Sequence, residues 1–108
     1  MMFGLEQEEI DEIIGIISIF PEIESAFIFG SRAKGNFRKG SDVDIVLTGN
    51  NAGYHTILNI NNILNEDTLM PYHFDVIKYE DINNPDLKKH IQRVGKLIYK
   101  RTDKITVL

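Results

Sequence analysis

The sequence predicts an α/β fold, a small mixed β-sheet flanked by helices. One stretch carries isoleucines at helical spacing. Three short runs rich in β-branched and aromatic residues are bounded by turn signals, and the two patterns alternate along the chain. The 108 residues suit a single domain over 1–108. A chain of this size buries roughly 65% of its unfolded surface, enough for a core without cross-links.

Residues 5–20 read as an amphipathic helix. Ile10, Ile13, Ile14 and Ile17 fall at i, i+3, i+4 and i+7, with Ile16 and Phe20 alongside. Five acids lie in residues 6–12, where the positive end of the helix dipole favours them, and Pro21 ends the element. Ser25–Phe29 predicts a short buried strand, and the chain from Ser31 turns into a second helix. Asp42–Leu47 predicts a second strand. Gly49, Asn50, Asn51 and Gly53 mark a loop, followed by a helix over Tyr54–Asn65 with Ile57, Ile60 and Leu64 on one face. Tyr72–Lys78 predicts a third strand. Asn84 and Pro85 read as an N-cap and first helical residue, and that helix runs through Leu87, Ile91 and Val94 to Gly95. Leu97–Tyr99 suits a last short strand, and the tail from Arg101 to 108 is expected to be loose.

Composition removes several classes of function. Without Cys there is no disulfide framework, thiol nucleophile or Cys-based zinc site. No apolar run approaches the ~20 residues that span a bilayer, so no membrane association is expected. The acidic start MMFGLEQEEIDE is unlike a secretory signal, which points to the cytoplasm. A net charge of −4 argues against direct, sequence-independent nucleic-acid binding. The charge is uneven: residues 1–31 hold seven acids and no Lys or Arg, whereas Lys88–Lys104 holds seven bases. Oppositely charged ends can steer the docking of a second protein.

The stretch from Phe29 to Leu47 carries the chemistry. Gly30-Ser31 follows a strand directly. Glycine permits a sharp turn and close approach of a ligand, and the turn offers N–H groups and the Ser31 hydroxyl to an anion. Alone this is an ordinary turn, and its glycine spacing fits neither a P-loop nor a dinucleotide fingerprint. Asp42 and Asp44 head an apolar strand. Residues two apart share a face, so both carboxylates converge there while Val43, Ile45 and Leu47 enter the core. Two carboxylates this close repel, and a divalent cation such as Mg²⁺, which takes one or two carboxylates plus phosphate oxygens, relieves the repulsion. A bare DxD is otherwise a solvent-facing edge. Asp75 interrupts the apolar run HFDVI, and it joins Asp42 and Asp44 if the third strand lies beside the second. Arg32, Lys34 and Arg38, with Lys39, form a basic cluster that can neutralise phosphate, although such a run is more often a solvated loop. His55, His73 and His90 and the aromatics Tyr54, Tyr72 and Tyr79 read as surface or packing residues.

A strand ending in Gly30-Ser31, ten intervening residues, then Asp42-Val43-Asp44 and a later strand carboxylate at Asp75 resembles the minimal nucleotidyltransferases of the polymerase-β-like superfamily. The Arg-Ala-Lys-Gly after Ser31 and Gly40-Ser41 before Asp42 fit the same pattern, and the resemblance spans about residues 5–100. It implies that Asp42, Asp44 and Asp75 hold two Mg²⁺ ions (Mn²⁺ as a substitute), that Gly30 and Ser31 bind the phosphates of ATP, and that Arg32 and Lys34 assist them. It also implies transfer of AMP to a hydroxyl. Larger relatives carry a further domain, which a chain of this length is not expected to hold. The acceptor implied is therefore a docked protein, a tyrosine of a HEPN-domain toxin to which the chain acts as antitoxin, in a hetero-oligomer or beside a second copy. The alternatives are a non-catalytic binding antitoxin and a small-molecule, aminoglycoside-type nucleotidyltransferase.

Overall fold

The computed structural model describes residues 1–102, and the element order follows from the sequence pattern. Helix α1 spans Gln7–Ser18, β1 Ser25–Phe29, α2 Gly30–Lys34, β2 Val43–Thr48, α3 Tyr54–Glu66, β3 Phe74–Lys78, α4 Pro85–Val94 and β4 Lys96–Lys100, with one 3₁₀ turn at Tyr79–Asp81. Among the described residues no helix is long and apolar enough to cross a membrane.

The four strands form one mixed sheet in the order β3-β2-β1-β4. Strand β1 is antiparallel to β2 and to β4, while β2 and β3 run parallel. Side chains alternate between faces. On one face Ala26, Ile28, Val43, Ile45, Leu47, Phe74 and Val76 pack against Ile10, Ile13 and Ile17 of α1 and Ile60 and Leu64 of α3, forming the main core. On the other, Phe29, Val46 and Ile91 of α4 form a smaller cluster with Phe27, Ile77 and Leu87. Asp44 and Asp75 share this second face, beyond the cover of the small cluster.

Several boundaries differ from the sequence reading. Helix α1 is shorter than 5–20. Its first residues are taken by a turn in which Met2 and Leu5 exchange backbone hydrogen bonds of 3.1 and 2.8 Å, with Phe3 and Gly4 at positive φ. At the other end the backbone before Pro21 is kept from the α conformation. Strands β2 and β3 begin at Val43 and Phe74, so Asp42, Tyr72 and His73 lie just outside them. The Asn84 side chain caps α4, accepting from the Asp86 and Leu87 N–H groups at 2.9 and 3.3 Å. The expected loose tail lies outside the described residues beyond Thr102. Arg101 itself is anchored, donating to the carbonyls of Ile23, Ser18 and Phe20 at 3.1–3.2 Å.

Candidate active site

The site grows from the register of three neighbouring strands. Asp44 of β2 stands beside Phe29, the last residue of β1, and opposite Asp75 on the parallel strand β3. Two carboxylates in register on adjacent strands share one face, and nothing in sheet propensity favours that pairing. Asp44 is half-buried, whereas Asp75 and Asp42 are exposed.

Electrostatics record the crowding. The Asp44 carboxyl is pushed up to about 6 from an ordinary 3.8, first by burial, then by the charges of Asp75 and Asp42, with Arg32 and His73 pulling weakly the other way. A carboxylate raised first by burial and then by two like neighbours is a ready partner for a cation.

Gly30 makes room for this arrangement. It adopts φ +72°, and a Cβ there would run into the carboxylate of Asp44. The turn requires glycine on both counts. The Gly30 N–H donates to His90 Nε2 of α4 at 3.2 Å, and the His90 ring packs edge-on against Phe29. Ser31 is half-buried in the first turn of α2, and its carbonyl accepts from the N–H of Gly35, which closes that five-residue helix at φ +89°. Lys34 and Arg38 are exposed, free to meet a phosphate.

Arg32 behaves differently from its expected role as a phosphate ligand. It is 3% exposed. Its Nε and Nη2 donate to the Ser41 carbonyl at 3.1 and 2.8 Å, Nε also to Asp42 at 3.3 Å, and Nη1 to Phe3 at 2.8 Å. The rings of Phe37 and Tyr72 lie 5.2 and 5.0 Å from the guanidinium carbon. Its donors are committed to backbone carbonyls, so it stiffens the loop before Asp42 instead of offering itself to a ligand. Tyr72 is similarly engaged, its hydroxyl donating to Glu9 at 2.8 Å.

The donor set suits a hard cation. Carboxylate oxygens are what Mg²⁺ and Mn²⁺ select, and a cation would relieve the repulsion from Asp75 and Asp42 that adds to burial in raising the Asp44 carboxyl. Among the described residues, no three acidic or imidazole groups close into a ready-made metal cage. An ion at this open face needs further oxygens, such as those of a phosphorylated substrate.

Comparisons with known proteins bear on the fold and the family. No match was found among curated protein sequences. Solved structures give the fold: a toxin–antitoxin crystallised with AMP-PNP superposes with a TM-score of 0.69 at 16% identity, covering 90% of this chain and 75% of that one. The toxin–antitoxin MntA-HepT superposes with a TM-score of 0.67 at 15% identity, covering 89% and 74%. The family model described as polymerase beta, nucleotidyltransferase, matches residues 11–104. With nearly the whole chain matched, the protein belongs to the polymerase beta nucleotidyltransferase family.

Proposed function

We propose that the chain transfers AMP from ATP to a hydroxyl of a partner protein, with Asp42 and Asp44 holding Mg²⁺ and Asp75 completing the carboxylate set. The observation that carries this reading is the register pairing of Asp44 with Asp75 beside the Gly30–Ser31 turn. Bound there, Mg²⁺ would supply charge neutralisation on the triphosphate and polarisation of the phosphorus under attack. Asp75, the more exposed of the paired carboxylates, accepts the proton of the attacking hydroxyl. The acceptor oxygen bonds to the α-phosphorus as the bond to pyrophosphate breaks. The Ser31 hydroxyl holds the departing phosphates and Lys34 offsets their charge, while the Gly30 N–H, bonded to His90 and not free for a phosphate as the sequence suggested, fixes the turn that presents them.

A toxin of the HEPN class, modified on a tyrosine, is the acceptor we favour. The support is the fold shared with toxin–antitoxin assemblies, one of them crystallised with AMP-PNP. An open carboxylate face also suits a docked protein better than a small molecule that needs walls. The test is to co-express the chain with the protein of the neighbouring gene, add ATP and Mg²⁺, and weigh the partner by mass spectrometry. An added AMP that disappears in Asp75→Asn, while that variant still binds MgATP and keeps its thermal midpoint, is the expected result. Neutralisation of the toxin by a variant lacking all three carboxylates would favour the non-catalytic binding module.

A further inference from the structure

Asp42 has an unusual footing. It lies one residue before β2, where the Val43 N–H donates to the His73 carbonyl at 2.9 Å. The loop that delivers it, residues 35–41, is mostly exposed, with Arg38 N–H bonded to the Ser41 hydroxyl at 2.8 Å as its own internal brace. What fixes the end of that loop is Arg32. One guanidinium grips the Ser41 and Asp42 carbonyls on one side and the Phe3 carbonyl on the other. Its position is set by the flanking rings of Phe37 and Tyr72, and by an N-terminal turn packed so closely that a Cβ on Gly4 would strike both Phe37 and Arg32.

From this placement we infer that Arg32 is a positioning residue: it fixes the Ser41–Asp42 peptide, and so directs the Asp42 carboxylate toward the Asp44–Asp75 pair, without touching substrate. The inference rests on the metal-binding reading of those carboxylates. Only a planar fork with several fixed donors can serve three carbonyls at once. A lysine offers one compact ammonium and cannot reproduce it. Groups that orient a metal ligand from behind typically change metal affinity by 10–100-fold when altered.

The experiment compares wild type, Arg32→Lys and Arg32→Gln. Mn²⁺ binding is followed by electron paramagnetic resonance in the presence of a non-hydrolysable ATP analogue, and unfolding by thermal denaturation. Arg32→Lys should unfold cooperatively and bind Mn²⁺ at least tenfold more weakly, with kcat falling further than KM for ATP rises. In an Arg32→Ala variant, millimolar ethylguanidinium should recover part of the Mn²⁺ affinity, which added ethylammonium should not. Unchanged Mn²⁺ affinity in a folded Arg32→Lys protein overturns the positioning role and leaves the catalytic reading intact. Loss of cooperative unfolding in all the variants also overturns it, since Arg32 would then hold the fold and not the site. If wild type with the analogue binds no Mn²⁺, the catalytic reading and the positioning role fall together.

Discussion

Asp44 concentrates the physics of the site in one side chain. Its neighbours Val43 and Ile45 are fully buried, Asp75 stands opposite, and its carboxyl is pushed up to about 6, chiefly by burial. A carboxyl raised in the folded state is a pH-dependent liability. Between about 3.8 and 6 the folded chain holds a proton that the unfolded chain has released, so this group's stabilising contribution is complete below 3.8 and is lost as pH rises through 6. Asp44→Asn, which cannot ionise, should therefore gain thermal stability relative to wild type as pH rises from 4 to about 6. The gap should stay level above that, with Mg²⁺ and nucleotide omitted. A melting-temperature difference that is flat across this range would show that Asp44 is not held short of ionisation. Asp42 and Asp44 stand out in sequence because their spacing from each other and from Gly30-Ser31 is local, whereas Asp75 comes beside Asp44 only through the parallel pairing of β3 with β2. The role of Arg32 was not legible there, since its burial depends on Phe3, Phe37 and Tyr72, two of them nearly thirty or more residues away. His90 gave no sequence signal for its bond to Gly30, which spans sixty residues.

At the scale of elements, the strand that presents Asp75 is an edge strand and needs a second anchor besides β2. Asn65, near the end of α3, supplies it: its Oδ1 accepts from the Phe74 N–H at 2.8 Å and its Nδ2 donates to the Phe74 carbonyl at 2.9 Å. The side-chain amide thus imitates a neighbouring strand for the residue just before Asp75. Asn65→Ala removes both bonds and leaves buried backbone groups unpaired, which should lower stability by about 2 kcal/mol in denaturant titration. The exposed Asn62→Ala should change it by less than about 0.5 kcal/mol. Equal effects of the two would deny the anchoring role. In the sequence Asn65 looked like one of a local run of asparagines, because its partner lies across the α3–β3 loop. The helices and strands themselves were readable from periodicity and caps, and their ends were less so. Asp42 alternates with β2 in sequence, but its backbone is held by a side chain and not by a neighbouring strand.

For the whole molecule, the sheet order separates charge in space as well as in sequence. Acidic α1 covers one face, while the bases of α4 and β4, Lys88, Lys89, Arg93, Lys96 and Lys100, lie on the opposite face or along the β4 edge. Lysines along an exposed edge discourage pairing with another strand of the same kind, so charge, not strand addition, is the more natural means of recruiting a partner here. On the proposed reading the toxin approaches through this dipolar surface, and charges that remain exposed to water are screened within about 10 Å at 0.1 M salt. Association with the co-expressed toxin should therefore slow by at least tenfold between 20 and 500 mM NaCl, roughly the range electrostatic steering allows, while dissociation changes far less. Charge reversal at the basic face (Lys89→Glu with Arg93→Glu) should flatten that salt dependence and leave MgATP binding intact, because neither residue belongs to the carboxylate site. Surface plasmon resonance across the salt series gives both rates. An association rate indifferent to salt in the wild-type chain would remove charge from the docking step and leave an apolar contact, such as the face around exposed Leu97, to account for the complex.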